Sequence, residues 1–277
     1  MNRIVAWSLV LLLGSTVSGL AQETGREALD AFVSSFQVDG LNVGYGSAKE
    51  EGDGLTIEDF TITYSATFAF EGEGGQPSSI AVRLDMTAPE IVAFKLRHDA
   101  GGLAADRFDF TDVLEQGGSV LIDGKPAFEF RAAIHNYRIS GMVWPHLLPF
   151  PTGLKGQVRA WIDWYRVIAG FRVDVATADF VTGRFSVSEE PGGEGGFSSD
   201  VEYKDFRMEG MRDGRIALYS MGPMVQETRY QLDGAPYAET SIIDSTLVKN
   251  LNAMALFELF DPKPEGTGQR VALVESI

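Results

Sequence analysis

Three histidines, His98, His135 and His146, are the first residues to test for chemistry, because imidazole can act as ligand, base or acid near neutral pH. They stand far apart in the chain, and none forms the short i, i+4 pair that selects a metal on one helix face. Asp106, Asp109 and Asp112 recur every third residue, whereas a calcium loop needs denser oxygen ligands and a glycine inside the loop. These aspartates are expected to face water on a strand and its turn, before a turn at Gly117-Gly118. Glu189, Glu190 and Glu194 sit among glycines and read as a solvated acidic loop. A glycan hydrolase needs two converging carboxylates, and no spacing among the 39 acids selects a pair. There is no cysteine, no phosphate-binding glycine loop, no His-Glu-x-x-His and no Gly-x-Ser-x-Gly. The expectation is a protein with no catalytic residue, no metal and no cofactor, and not an enzyme.

The residues with more to offer are apolar. Met142 to Pro151 holds three prolines and one polar side chain, so it is expected to form an apolar loop that a core, a ligand or a partner must cover. Met142, Trp144, Leu147, Leu148 and Phe150 are its candidate contact residues. Trp161, Trp164 and Tyr165 follow on a segment with large rings at both parities, and they join the candidates.

The elements that must carry these residues begin with an export signal. Met1-Asn2-Arg3 is a basic start, Ile4–Leu13 an apolar run of about ten residues, and Gly19 and Ala21 fit a cleavage site before Gln22. The run is too short to span a bilayer, and no later stretch makes an integral membrane helix. Residues 1–21 are read as a signal peptide, 22–264 as one β-rich domain and 265–277 as a flexible tail. Thr24 and Glu27 have capping-box spacing, with Ala28, Leu29, Phe32, Val33 and Phe36 on one face of the helix that follows.

After Gly40 the period becomes two. Phe60, Ile62, Tyr64, Ala66, Phe68 and Phe70 alternate with hydroxyl residues, and Leu55 and Ile57 share the face if a bulge falls near Glu58-Asp59. Similar runs lie at 80–86, 92–96, 128–134, 158–175, 185–187, 201–208, 215–219 and 237–243, with turns at Asp123-Gly124 and Asp213-Gly214. A short C-terminal helix is expected from about Ser245 to Phe260. The fold class is mainly β: one large curled antiparallel sheet (half-barrel, barrel or sandwich) with an N-terminal amphipathic helix and that short C-terminal one.

The formal net charge of −16 argues against nucleic acid as a partner. An apolar small molecule or an envelope protein fits better. In its leader, its strand–turn–strand texture and the phrases Asp213-Gly214-Arg215-Ile216 and Leu259-Phe260-Asp261-Pro262, the chain resembles the uncharacterised periplasmic β-rich proteins of proteobacteria. That resemblance implies export to the periplasm and brings no activity or site. The expected function is a periplasmic binding or scaffold protein enclosing an apolar ligand such as a lipid. An outer-membrane β-barrel is the first alternative and an envelope glycan hydrolase the second.

Overall fold

The computed structural model describes residues 24–35, 40–71, 76–99, 102–145, 170–188, 196–232 and 235–252. Thr24 and Glu27 make the capping box their spacing predicts. The Thr24 amide donates to Glu27 Oε2 at 2.9 Å, and the Glu27 amide to Thr24 Oγ1 at 3.2 Å. They open α1 (Gly25–Ser35), which buries Ala28, Leu29 and Phe32.

What is described after Gly40 is antiparallel sheet. In chain order come β1 (Leu41–Gly44), β2 (Ser47–Glu51), β3 (Gly54–Glu71), β4 (Pro77–Phe94) and β5 (Arg97–Asp99). Then follow β6 (Gly102–Phe110), β7 (Val113–Ile122), β8 (Lys125–His135), β9 (Arg138–Pro145) and β10 (Val173–Ser188). The last five are β11 (Gly196–Arg212), β12 (Arg215–Met221), β13 (Met224–Leu232), β14 (Ala235–Ile243) and β15 (Thr246–Asn252). Asp123-Gly124 and Asp213-Gly214 turn with positive φ at both residues, as two-residue hairpins require.

Six strands, β4, β7, β8, β10, β9 and β6, close a ring of antiparallel pairings. The registers show how the ring is made. β3 takes one edge of β4 along its whole length. β7, opposite Ile80–Thr87, and β6, opposite Ile91–Phe94, therefore share the other edge end to end. β8 and β9 share one edge of β10 in the same way, and β13 and β12 one edge of β11. β1 with β2, β4 with β5, and β14 with β15 are likewise end-to-end pairs. Taken so, the described strands trace nine long runs, each paired with the run before and after it in the chain.

The breaks within these runs line up across the sheet. One line passes through Asp59, Asn136 and Asp205, with φ of 54°, 53° and 54°. A second passes through Lys95, Gly141, Gly210 and Asn250, with φ between 50° and 62°. At each line a strand spends one residue outside the two-residue alternation, so its apolar side chains resume on the same face. Thus Leu55 and Ile57 precede Asp59, Phe60 and Tyr64 follow it, and all four are buried. The break expected near Glu58-Asp59 is there, and both lines repeat it in neighbouring runs.

Three expectations change. Gly117-Gly118 is not a turn but lies inside β7, where Arg131 crosses above Gly117 and Phe130 packs against Gly118. The C-terminal helix expected from Ser245 does not begin there: Thr246–Asn252 is β15, held by six register pairs to β12, and 253–260 lies outside the described residues. Met142–Pro145 is strand rather than loop, because Pro145 comes last in β9, where its missing N–H costs the ladder least.

Candidate functional site

One face of the sheet is apolar across its full width. Near α1 a row of directly opposed residues runs Leu55, Ala93, Phe108, Ile139, Ala176, Met208, Tyr219 and Val248. Toward the other end a parallel row runs Ala66, Val82, Val120, Phe128, Val187, Phe197, Tyr230 and Tyr237. The opposite face carries charge, arranged as cross-strand pairs. Asp85 meets Arg131 at 2.7 Å, Asp200 meets Arg229 at 2.6 Å, and Asp106 lies between Lys95 and Arg97. The Arg97 guanidinium, hydrogen-bonded to it, holds the Asp106 carboxyl below its ordinary range. These pairs are exposed, so each contributes little stability and mainly keeps this face wet.

The two ends of the apolar face differ in cover. At the first, α1 lies on the sheet with Phe32 edge-on to Trp144 (5.7 Å), which is edge-on to Phe171 (5.2 Å). Ala28, Ala93 and Ala176 are fully buried there and let the layers approach. Burial pushes the Tyr137 hydroxyl up to about 12, with Tyr203 adding to the shift, and raises Tyr203 and Tyr219 as well. Tyr203, Phe206 and Tyr219 form one ring cluster beside it.

At the second end the same face stays partly open. Leu84 is 45% exposed although it lies in line with Tyr64 and Phe130. Val187 and Tyr237 are also exposed. Ring pairs floor it: Phe128 with Phe130, Phe185 with Phe197 and Tyr230 with Tyr237. A depression of about 460 Å³ at this end is lined by Ser186, Ser198, Arg229 and Ala238 of the charged face as well as by Val187, Phe197, Tyr230 and Tyr237. Set into this floor is a polar cluster, in which Gln226 Nε2 donates to the buried Ser199 Oγ at 2.9 Å and both lie 3.4 Å from Thr228 Oγ1.

Of the eight residues singled out beforehand, Met142 and Trp144 are in β9 on the apolar face, both within or against the core beneath α1. Leu147, Leu148, Phe150, Trp161, Trp164 and Tyr165 lie outside the described residues. His98 and His135 are on separate strands, with His135 against the Phe180 ring. Among the described residues no three His, Asp or Glu side chains are grouped to hold a metal ion, and no helix is long and apolar enough to cross a membrane.

No protein-family model, curated protein or solved structure matches this chain. Its own geometry is therefore what speaks to function.

Proposed function

We propose that this is an exported, periplasmic binding protein whose curled sheet holds an apolar ligand, such as the acyl chain of a lipid. The observation that carries this reading is the apolar face itself, which continues beyond the part that α1 and the core fill. A contiguous apolar surface left open beside a packed core is what marks a binding surface. A ligand chain lying over Phe130, Phe185 and Phe197 would remove it from water, at roughly 25 cal/mol for each Å² covered. The Ser199–Gln226–Thr228 cluster suits a ligand that ends in a hydroxyl or carbonyl group.

The charged outer face weighs against the membrane-barrel alternative. A barrel turns its apolar face to lipid, whereas here α1 packs on the apolar face and the ion pairs face out.

Native mass spectrometry on chain purified without detergent tests the reading. The expected result is a stoichiometric apolar molecule released by organic extraction, and uptake of a polyene fatty-acid probe whose emission rises on binding. Phe185→Asp should weaken that uptake about tenfold or more, since it places a charge in the floor, while Arg184→Ser on the outer face leaves it unchanged. An empty protein that ignores the probe refutes the reading.

A further inference from the structure

The two outer edges of this sheet are treated differently. The first edge is short and guarded. β1 and β2 are broken at Tyr45-Gly46, carry Lys49, Glu50 and Glu51, and lie beside α1, whose Arg26 guanidinium donates to the Ala48 carbonyl at 3.0 Å. Such devices are how edge strands avoid pairing with other chains. The last edge, β14 and β15, carries Pro236, Glu239 and Lys249 toward its ends and breaks at Asp244-Ser245, but from Thr240 to Val248 its only charged residue is Asp244. It runs from Ala235 to Asn252, and among the described residues nothing pairs with its outer side. It also shows apolar side chains on the charged face, where the alternation calls for polar ones. Ile242 is 71% exposed and Leu247 is 60% exposed, with Val225 opposite Ile242 on β13 also exposed.

We infer that this edge pairs with the same edge of a second copy of the chain, antiparallel about a two-fold axis between Asp244 and Ser245. The edge is self-complementary in one register, the one that carries the line of strand breaks at Asp244-Ser245 straight across the axis. Ile242 then opposes Leu247 of the partner subunit, and Leu247 opposes Ile242 of the partner subunit. The two most exposed large apolar side chains described in the chain thus cover one another. The apolar face keeps its side as well: Ile243 opposes Thr246 of the partner subunit, and Ser241 opposes Val248 of the partner subunit. Glu239 meets Asn250 of the partner subunit and Thr240 meets Lys249 of the partner subunit, so no like charges fall opposite. A shift of one residue in either direction would put apolar side chains across from the charged face. An isologous pair of this kind is closed by its own symmetry, so the edge is used up and no fibre follows. The two apolar faces would join into one. This inference stands on the edge and holds whether or not that face takes a ligand.

Sedimentation on the full chain should read a dimer. Ile242→Lys/Leu247→Lys, which sets lysines opposite one another twice, should raise the dimer dissociation constant about 100-fold or more. Mixing that variant with Ile242→Glu/Leu247→Glu should restore a dimer of mixed composition, which a merely misfolded edge could not do. The chain has no cysteine, and directly opposed strand residues lie within disulfide reach. Ile242→Cys mixed with Leu247→Cys should therefore cross-link on oxidation, while neither does so alone. A chain monomeric at roughly 100 μM, a dimer indifferent to both charge variants, or cross-linking by either cysteine variant alone as fast as by the mixture overturns the proposal.

Discussion

The two ends of the apolar face are built from the same strands and solve different problems. Beneath α1, alanines at 28, 93, 105 and 176 alternate with Leu55, Phe108, Ile139 and Met142, so small and large side chains interlock and leave the helix room to lie down. Beyond Tyr64 the face offers phenylalanines and tyrosines laid along the sheet, with Leu84 and Tyr237 still meeting water. Burial follows the presence of a small partner across the layer more than the hydrophobicity of the residue itself. One end is a core, and the other is the kind of surface a core would be without its second layer.

Truncation should separate the ends most. Leu55→Ala beneath α1, where the side chain is 2% exposed, should cost about 2–5 kcal/mol in urea unfolding. Leu84→Ala, on the same face in the open part, should cost less than about 1 kcal/mol, because little is lost that water did not already touch. Equal costs would mean that the open end is filled.

Enlargement reads the same contrast in reverse. Ala93→Leu has no space to enter and should cost about 1–3 kcal/mol. At Gly118 an added Cβ would lie 2.4 Å from the Phe130 ring and 2.7 Å from Leu84 Cδ2. Leu84 is 45% exposed and both side chains can turn aside, although the Arg83 carbonyl at 3.0 Å is fixed, so Gly118→Ala should cost about 1 kcal/mol, less than Ala93→Leu, and change probe uptake more than stability.

Tyr137 lies at the boundary and gives a pH signature. Its proton is held more tightly in the folded chain, where its value is about 12, than in the unfolded chain, near 10. Its contribution is therefore complete below pH 10 and is lost as pH rises toward 12, at roughly 1.4 kcal/mol per pH unit. Tyr137→Phe should flatten that slope in unfolding curves taken between those values. The most local effect falls on the helix. Thr24→Ala removes one half of the capping box and should cost about 1 kcal/mol, loosening α1 while leaving probe uptake at the far end unchanged.

The sheet was legible where alternation ran long. Phe60 to Phe70 declared its face because five or six successive pairs agree, and the Thr24–Glu27 spacing declared the helix start. The break at Glu58-Asp59 was legible because apolar residues changed parity on both sides of it. The same signal recurs from Ile134 to Tyr137 and from Tyr203 to Phe206, yet with few residues on either side it reads as a strand end. Ser245 onward read as helix because Leu247, Val248 and Leu251 also fit a helical face. The pairing of that stretch with β12 across some thirty residues decided otherwise. Of the site, Met142 and Trp144 were legible as apolar residues that a core, a ligand or a partner must cover, but not as part of a strand. Ser199, Gln226 and Thr228 carry no local signal, since only the register between β11 and β13 brings them together.

A sheet in which every run pairs with its predecessor can be assembled in the order in which the chain is delivered. Each new hairpin finds its partner already in place, and no early strand has to wait with a bare edge for a distant one. The helix is the exception. It arrives first, yet its Phe32 rests on Trp144, which rests on Phe171, so α1 can settle only after more than half of the chain has arrived. The first segment made is thus among the last to dock, and until it does the growing sheet keeps its whole apolar face accessible.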